Sequence, residues 1–137
     1  MAVTLEQPAH ARLVTPSERE HAIPATLRYT SADPLALRIS FPAEVSLDGT
    51  DVTWTFARQL LEQGLRRPAG SGDVHIWPCG RARTVLEFHS RDGLALVQFD
   101  RAALERFLLR TYAVVAPGSE EVGAELDRGF SRLLGGV

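Results

Sequence analysis

Four histidines, one cysteine and three close pairs of carboxylates are the side chains in this sequence best suited to acid–base, nucleophilic or metal chemistry. Their spacing argues against that use. His10, His21, His75 and His89 form no HxH or HxxxH pattern, the spacings that set two imidazoles on one face of a strand or helix. Cys79 could pair with His75 or His89 as an activated thiol. However, it follows Pro78 at a predicted strand end and has no helix N-terminus to lower its pKa. With only one cysteine, an internal disulfide or a zinc site needing two thiolates from the chain is impossible. The carboxylate pairs are Glu18/Glu20, Asp48/Asp51 and Glu120/Glu121. The first two fall in predicted loops, and the third suits a helix start, where acidic residues favour the dipole. Gly70-Ser71-Gly72 looks like a phosphate cradle but precedes a strand, so helix N–H groups to hold an anion are missing. No P-loop, G-x-G-x-x-G or G-x-S-x-G string occurs. The reading is therefore no catalytic, cofactor-binding or metal-ligating set.

Composition agrees. The 137 residues are 45% hydrophobic and 23% charged, with a formal net charge of −2, as in an ordinary globular domain. All 15 basic residues are arginine, and neither lysine nor asparagine occurs. A lysine Schiff base is thereby excluded, and the codon bias fits a GC-rich genome. Acids outnumber arginines by one in each half of the chain, so no polybasic arm serves nucleic acid or anionic lipid. Arg66-Arg67 and Arg81 with Arg83 are the dense basic spots; Trp54 and Trp77 are expected in the core, with exposure beside His75 as the alternative for Trp77. No segment reads as a signal peptide or a membrane span, so a cytoplasmic protein without membrane insertion is expected.

The elements that would position these residues are mostly strands. Leu35, Leu37, Ile39 and Phe41 alternate with Ala36, Arg38 and Ser40, the period of a half-buried antiparallel strand. Ala25–Thr30 does the same with Leu27 and Tyr29 inward, and Asp33-Pro34 makes the turn between them. Asp48-Gly49 leads to Val52–Phe56. His10–Thr15, Val74–Pro78, Arg83–Ser90 and Leu94–Phe99 complete seven strands. A short helix follows Phe56, with Gly64 as its C′ residue. A second runs from an Asp100 N-cap to about Tyr112, with Leu104, Phe107, Leu108 and Thr111 on its apolar stripe. A third begins at Ser119, with Val122, Leu126, Phe130, Leu133 and Leu134 on its apolar side. The fold class is α+β, a mostly antiparallel sheet ordered β4-α-β3-α-α, in one domain over residues 1–137.

Two strings are distinctive: Trp54 to Leu65, in the pattern W-x-F-A-R-x-L-L-x-x-G-L, and Gly70 to Pro78, in the pattern G-x-G-D-V-x-x-W-P. With Ala32-Asp33-Pro34, Phe107–Thr111 and Pro117–Glu120 in matching order, the chain resembles the SsgA-like sporulation and cell-division proteins of actinobacteria, most of all their SsgB type. The resemblance implies a non-enzymatic regulator of sporulation septation that positions the tubulin-like protein FtsZ, with an SsgA-type protein as partner. It also implies a whirly-like fold, a homotrimer and a cytoplasmic location at the septum. It marks no partner-binding residues. The alternative is a whirly-like module for single-stranded nucleic acid, which the acidic charge balance disfavours.

The second helix supports a direct test of its facing. Phe107→Ala should lower stability by about 3–5 kcal/mol, the usual cost of truncating a core aromatic. Arg106→Ala, on the wet side, should cost under about 1 kcal/mol. Chemical denaturation of the two variants side by side measures the difference.

Overall fold

The computed structural model describes residues 1–17, 19–43, 50–70, 72–91 and 93–120. Eight strands make one antiparallel sheet: β1 (Thr4–Val14), β2 (Glu20–Thr30), β3 (Ala36–Phe41), β4 (Val52–Ala57), β5 (Ala69–Gly70), β6 (Val74–Cys79), β7 (Arg83–Ser90) and β8 (Gly93–Asp100). Their order across the sheet is β4-β3-β2-β1-β8-β7-β6-β5. Helix α1 (Arg58–Gly64) leaves β4 directly, and α2 (Arg101–Val114) leaves β8. The fold is thus α+β, with two helices and eight strands among the described residues. The third helix and the Asp48-Gly49 turn lie outside them.

The sheet is curled. Trp54 of β4, at one end, stacks on Phe88 of β7 with ring centroids 4.8 Å apart. Phe41 of β3 meets the same ring edge-on at 6.0 Å. Strands separated by four others in the sheet order therefore share one core. Leu27, Tyr29, Leu37, Ile39, Ile76, Leu86, Phe88, Val97 and Phe99 fill it from the strands, and Leu61, Leu104, Phe107 and Leu108 from the helices. The buried residues of α2 are Leu104, Phe107, Leu108 and Thr111, the expected stripe.

Several sequence expectations need correction. Strands β1 and β2 run eleven residues each in unbroken register, Thr4↔Thr30 to Val14↔Glu20. They begin well before His10 and Ala25, because Pro8 and Pro24 do not break them. Pairing of β1 with β8 spans only Ala11–Val14, and pairing of β2 with β3 only Thr26–Arg28. Each proline thus sits where its strand is partnered on one side, the place a missing N–H is tolerated. An eighth strand, β5, lies inside the expected Arg67–Gly72 loop. Gly70 has φ +137°, and a Cβ there would lie 2.6 Å from the Val74 carbonyl oxygen. Leu35 is 63% exposed, not inward. It precedes β3, and its carbonyl accepts the Arg58 backbone N–H at 2.7 Å. Trp77 is only half-buried and alternates with the inward Val74 and Ile76, so it sits on the sheet's outer face.

Two helix-terminal readings also change. Gly64 is not the left-handed C′ residue; it is the last residue of α1, and Leu65 follows in a right-handed conformation. It is glycine for space, since a Cβ would come within 2.4 Å of Ile76 Cβ. Asp100 stands at the N-cap of α2 but makes no side-chain cap bond. Its carboxylate accepts from Arg12 at 3.3 Å, and the Arg101 N–H is satisfied by the Ala82 carbonyl at 2.8 Å.

Candidate functional site

Among the described residues, the most concentrated polar chemistry surrounds Arg58. This first residue of α1 is 2% exposed, and an isolated charge so placed costs several kcal/mol unless it is paired and hydrogen-bonded. Its partners come from far along the chain. Nη1 donates to the Val115 carbonyl at 2.7 Å and the Thr111 carbonyl at 3.2 Å, beside Thr111 Oγ1 at 3.5 Å. Nη2 donates to Glu120 Oε1 at 2.7 Å. The guanidinium lies 5.2 Å from the Tyr29 ring centroid and 4.9 Å from that of Tyr112, so two aromatic faces add cation–π attraction. The carbonyls belong to the C-terminal end of α2, where the helix dipole favours a cation.

The surroundings titrate accordingly. The hydrogen bond from Arg58 holds the Glu120 carboxyl below its usual range against some opposing desolvation. Burial raises the Tyr29 phenol despite the nearby guanidinium, and its Oη donates to the Pro34 carbonyl at 3.0 Å. Burial, reinforced by the Glu62 carboxylate, pushes Tyr112 up to about 12. Its hydroxyl has no partner within hydrogen-bond distance, so Glu62 acts on it from further off. These groups hold fixed protonation states at neutral pH, which makes the cluster a tie between elements.

The residues picked out by type are dispersed. Arg58, the R of the W-x-F-A-R string, was not singled out for any role. The signal was its i, i+3, i+7 spacing with Leu61 and Leu65, both buried, which places it on the apolar face of α1. His10 and His21 are exposed on β1 and β2, opposite Pro24 and Leu13. Cys79 is exposed and opposite Arg83; His75 lies four residues back on the same strand, roughly 13 Å away, so no thiol–imidazole dyad forms. Of the carboxylate pairs, Glu20 binds Arg83, Asp51 accepts the Ala43 N–H and Glu120 binds Arg58, while Glu18, Asp48 and Glu121 lie outside the described residues. Arg83 is held by Glu20 and Gln98, and Arg66 is 4.0 Å from Glu62. His75 and His89 do meet, across β6 and β7, with ring centroids 5.4 Å apart.

An open groove of about 600 Å³ lies where the two ends of the sheet approach each other. Thr55 and Phe56 of β4 form one wall, Gly70, Asp73 and Val74 the other, and Gln59, Leu60 and Gln63 of α1 close one side. Asp73 is the single titratable side chain in that lining, so the groove offers amides and hydroxyls rather than a nucleophile with its base.

Comparison with known proteins places this geometry in context. Residues 23–120 match the family described as Streptomyces sporulation and cell division protein SsgA. The sporulation-specific cell division protein SsgB of Salinispora tropica is 45% identical over 97% of this chain and 94% of its own length. SsgB of Streptomyces coelicolor is 41% identical over 98% of both. Among solved structures, an SsgB studied for mutations that correlate with longitudinal cell division in S. coelicolor superposes with a TM-score of 0.80 at 40% identity, covering 90% of this chain and 97% of that one. The SsgA-like sporulation-specific cell division protein of Thermobifida fusca gives 0.83 at 32% identity, covering 96% of each.

The sign of the Glu120 shift fixes a pH effect. A carboxyl lowered by folding adds stability that is complete above the ordinary carboxylate pKa and is lost as pH falls through the lowered one. Glu120→Gln should therefore cost about 1.5–3 kcal/mol at neutral pH, the value of a charged hydrogen bond. It should also flatten the fall in stability below the ordinary carboxylate range. Urea denaturation of both proteins across that acidic range checks both effects.

Proposed function

Because the chain belongs to the SsgA family of sporulation and cell-division proteins, we propose that it works in sporulation-specific septation as a non-enzymatic adaptor, positioning or recruiting the FtsZ division machinery. The observation that carries this reading is the near-full-length match to proteins of that cell-division name, at 41–45% identity. The structure supports an adaptor in a second way. The charged cluster around Arg58 is consumed in tying elements together, and the groove between the ends of the sheet is lined by groups suited to backbone and side-chain recognition. An SsgA-type protein is the expected second partner. No described helix is long and apolar enough to cross a membrane, in keeping with an adaptor that reaches the septum from the cytoplasm through protein contacts.

A homotrimer suits this role. Several copies of one weak site on a symmetric particle gain avidity toward a polymer. Light scattering of the purified chain should return three times the chain mass; a monomer at micromolar concentration would refute that assembly.

Co-sedimentation tests the partner. The chain should enter the pellet with FtsZ polymers assembled on GTP and stay in the supernatant without GTP, alone or with an SsgA-type protein added. A chain that never pellets with FtsZ, but shifts single-stranded DNA at about 150 mM salt, would replace the adaptor reading with nucleic-acid binding.

A further inference from the structure

The meeting of His75 and His89 on the outer face of the sheet plays no part in the core or in the tie around Arg58. In the ladder of β6 and β7, His75 faces Glu87 directly, and the His89 backbone N–H donates to the Asp73 carbonyl. His75 and His89 are therefore diagonal neighbours on one face of the two strands, and the Glu87 carboxylate lies on that face in contact with His89. His75 Nε2 donates to the Gly72 carbonyl at 3.0 Å, and His89 Nε2 donates to Glu87 Oε1. In its neutral form each ring is thus the tautomer whose Nδ1 carries the lone pair, and no hydrogen bond among the described residues engages either Nδ1. A carbonyl or carboxylate on the far nitrogen is the support that orients a metal-binding histidine and raises its basicity. With metal–nitrogen distances of about 2.0–2.1 Å, two imidazoles sharing one ion have centroids roughly 5 Å apart. The observed 5.4 Å is close to that. The His89 side chain is 44% exposed, so an ion can enter from solvent.

We propose that His75 and His89 form a two-imidazole chelate, through their Nδ1 atoms, for a borderline divalent cation such as Zn²⁺ or Ni²⁺, with Glu87 and the Gly72 carbonyl as orienting partners. No group of three or more His, Cys, Asp or Glu side chains among the described residues is arranged to hold an ion. The site is therefore a bidentate one, and its remaining positions belong to water or to a donor from another molecule. The chemistry selects imidazole-preferring metals over Mg²⁺ and Ca²⁺, which want oxygen.

Titration calorimetry of the full chain with ZnCl₂ and then NiCl₂, at mildly alkaline pH, tests the assignment. One ion should bind per chain. His75→Ala or His89→Ala should each weaken binding at least roughly tenfold, and Glu87→Gln by roughly tenfold as an orienting partner. Cys79→Ser and His21→Ala should leave it unchanged, and MgCl₂ should not compete. Imidazole ¹⁵N spectra of the unaltered chain keep the test independent of any folding defect in a variant. On adding Zn²⁺, the Nδ1 resonances of His75 and His89 should move while both Nε2–H signals persist. Absence of saturable binding up to about 1 mM Zn²⁺, or binding retained in the His75→Ala/His89→Ala double variant, would overturn the proposal. So would metal shifts confined to His10 or His21.

Discussion

A single buried guanidinium holds the two ends of this structure in relation. Arg58 sits at the junction of a strand and a helix, and every group that compensates its charge lies elsewhere in the sequence. Tyr29 belongs to β2, Thr111 and Val115 to the end of α2, and Glu120 to the segment beyond it. Burying a charge is unfavourable alone, so these partners must all be in place together. The position of α1, and with it one wall of the groove, depends on α2 ending where it does. Neighbouring details serve the same arrangement. The Arg58 N–H is taken by the Leu35 carbonyl, which leaves the Leu35 side chain in solvent. Gly64 lets α1 press against Ile76 at a distance that no side chain would permit.

The curl of the sheet is a second constraint. Phe88 receives Trp54 and Phe41 from strands near the opposite end, so one aromatic ring joins halves that share only the β1–β8 seam in the hydrogen-bonded ladder. Closure is incomplete, and the gap between β4 and β5 becomes the groove. Edge strands are a hazard when long and flat. Here the β5 edge is only two residues, and α1 stands over the gap on the other side.

Much of this was legible in the residues, and the parts that were not have physical causes. Alternation and hairpin signals located β3, β4, β6, β7 and β8, and the α2 stripe was right at all four buried positions. Pro8 and Pro24 hid half of β1 and β2, because a proline breaks a strand only where its N–H is needed, and that depends on tertiary pairing. Asp100 has the chemistry of an N-cap, yet Arg12 took its carboxylate. Arg58 shows the deeper limit. An arginine in an apolar stripe signals burial, but the groups that accept its hydrogen bonds lie more than 50 residues away. The same applies to His75 and His89, whose proximity arises from strand register rather than sequence spacing.

The β1–β8 seam also governs how the molecule can be made. The hairpin of β1 and β2 is local and can form as soon as residue 30 has been synthesised. Its outer partner, however, is residues 96–99, more than 80 residues further along the chain. At a synthesis rate of about 5–20 residues per second, the edge of β1 at Ala11–Val14 waits unpaired for roughly 3–14 s before β8 exists to cover it. Contacts of such long range carry a loop-closure cost that slows folding. Among the described strand pairings the seam joins the residues furthest apart in sequence, so it carries the highest closure cost, and until it closes the edge of β1 is open to pairing with the wrong strand.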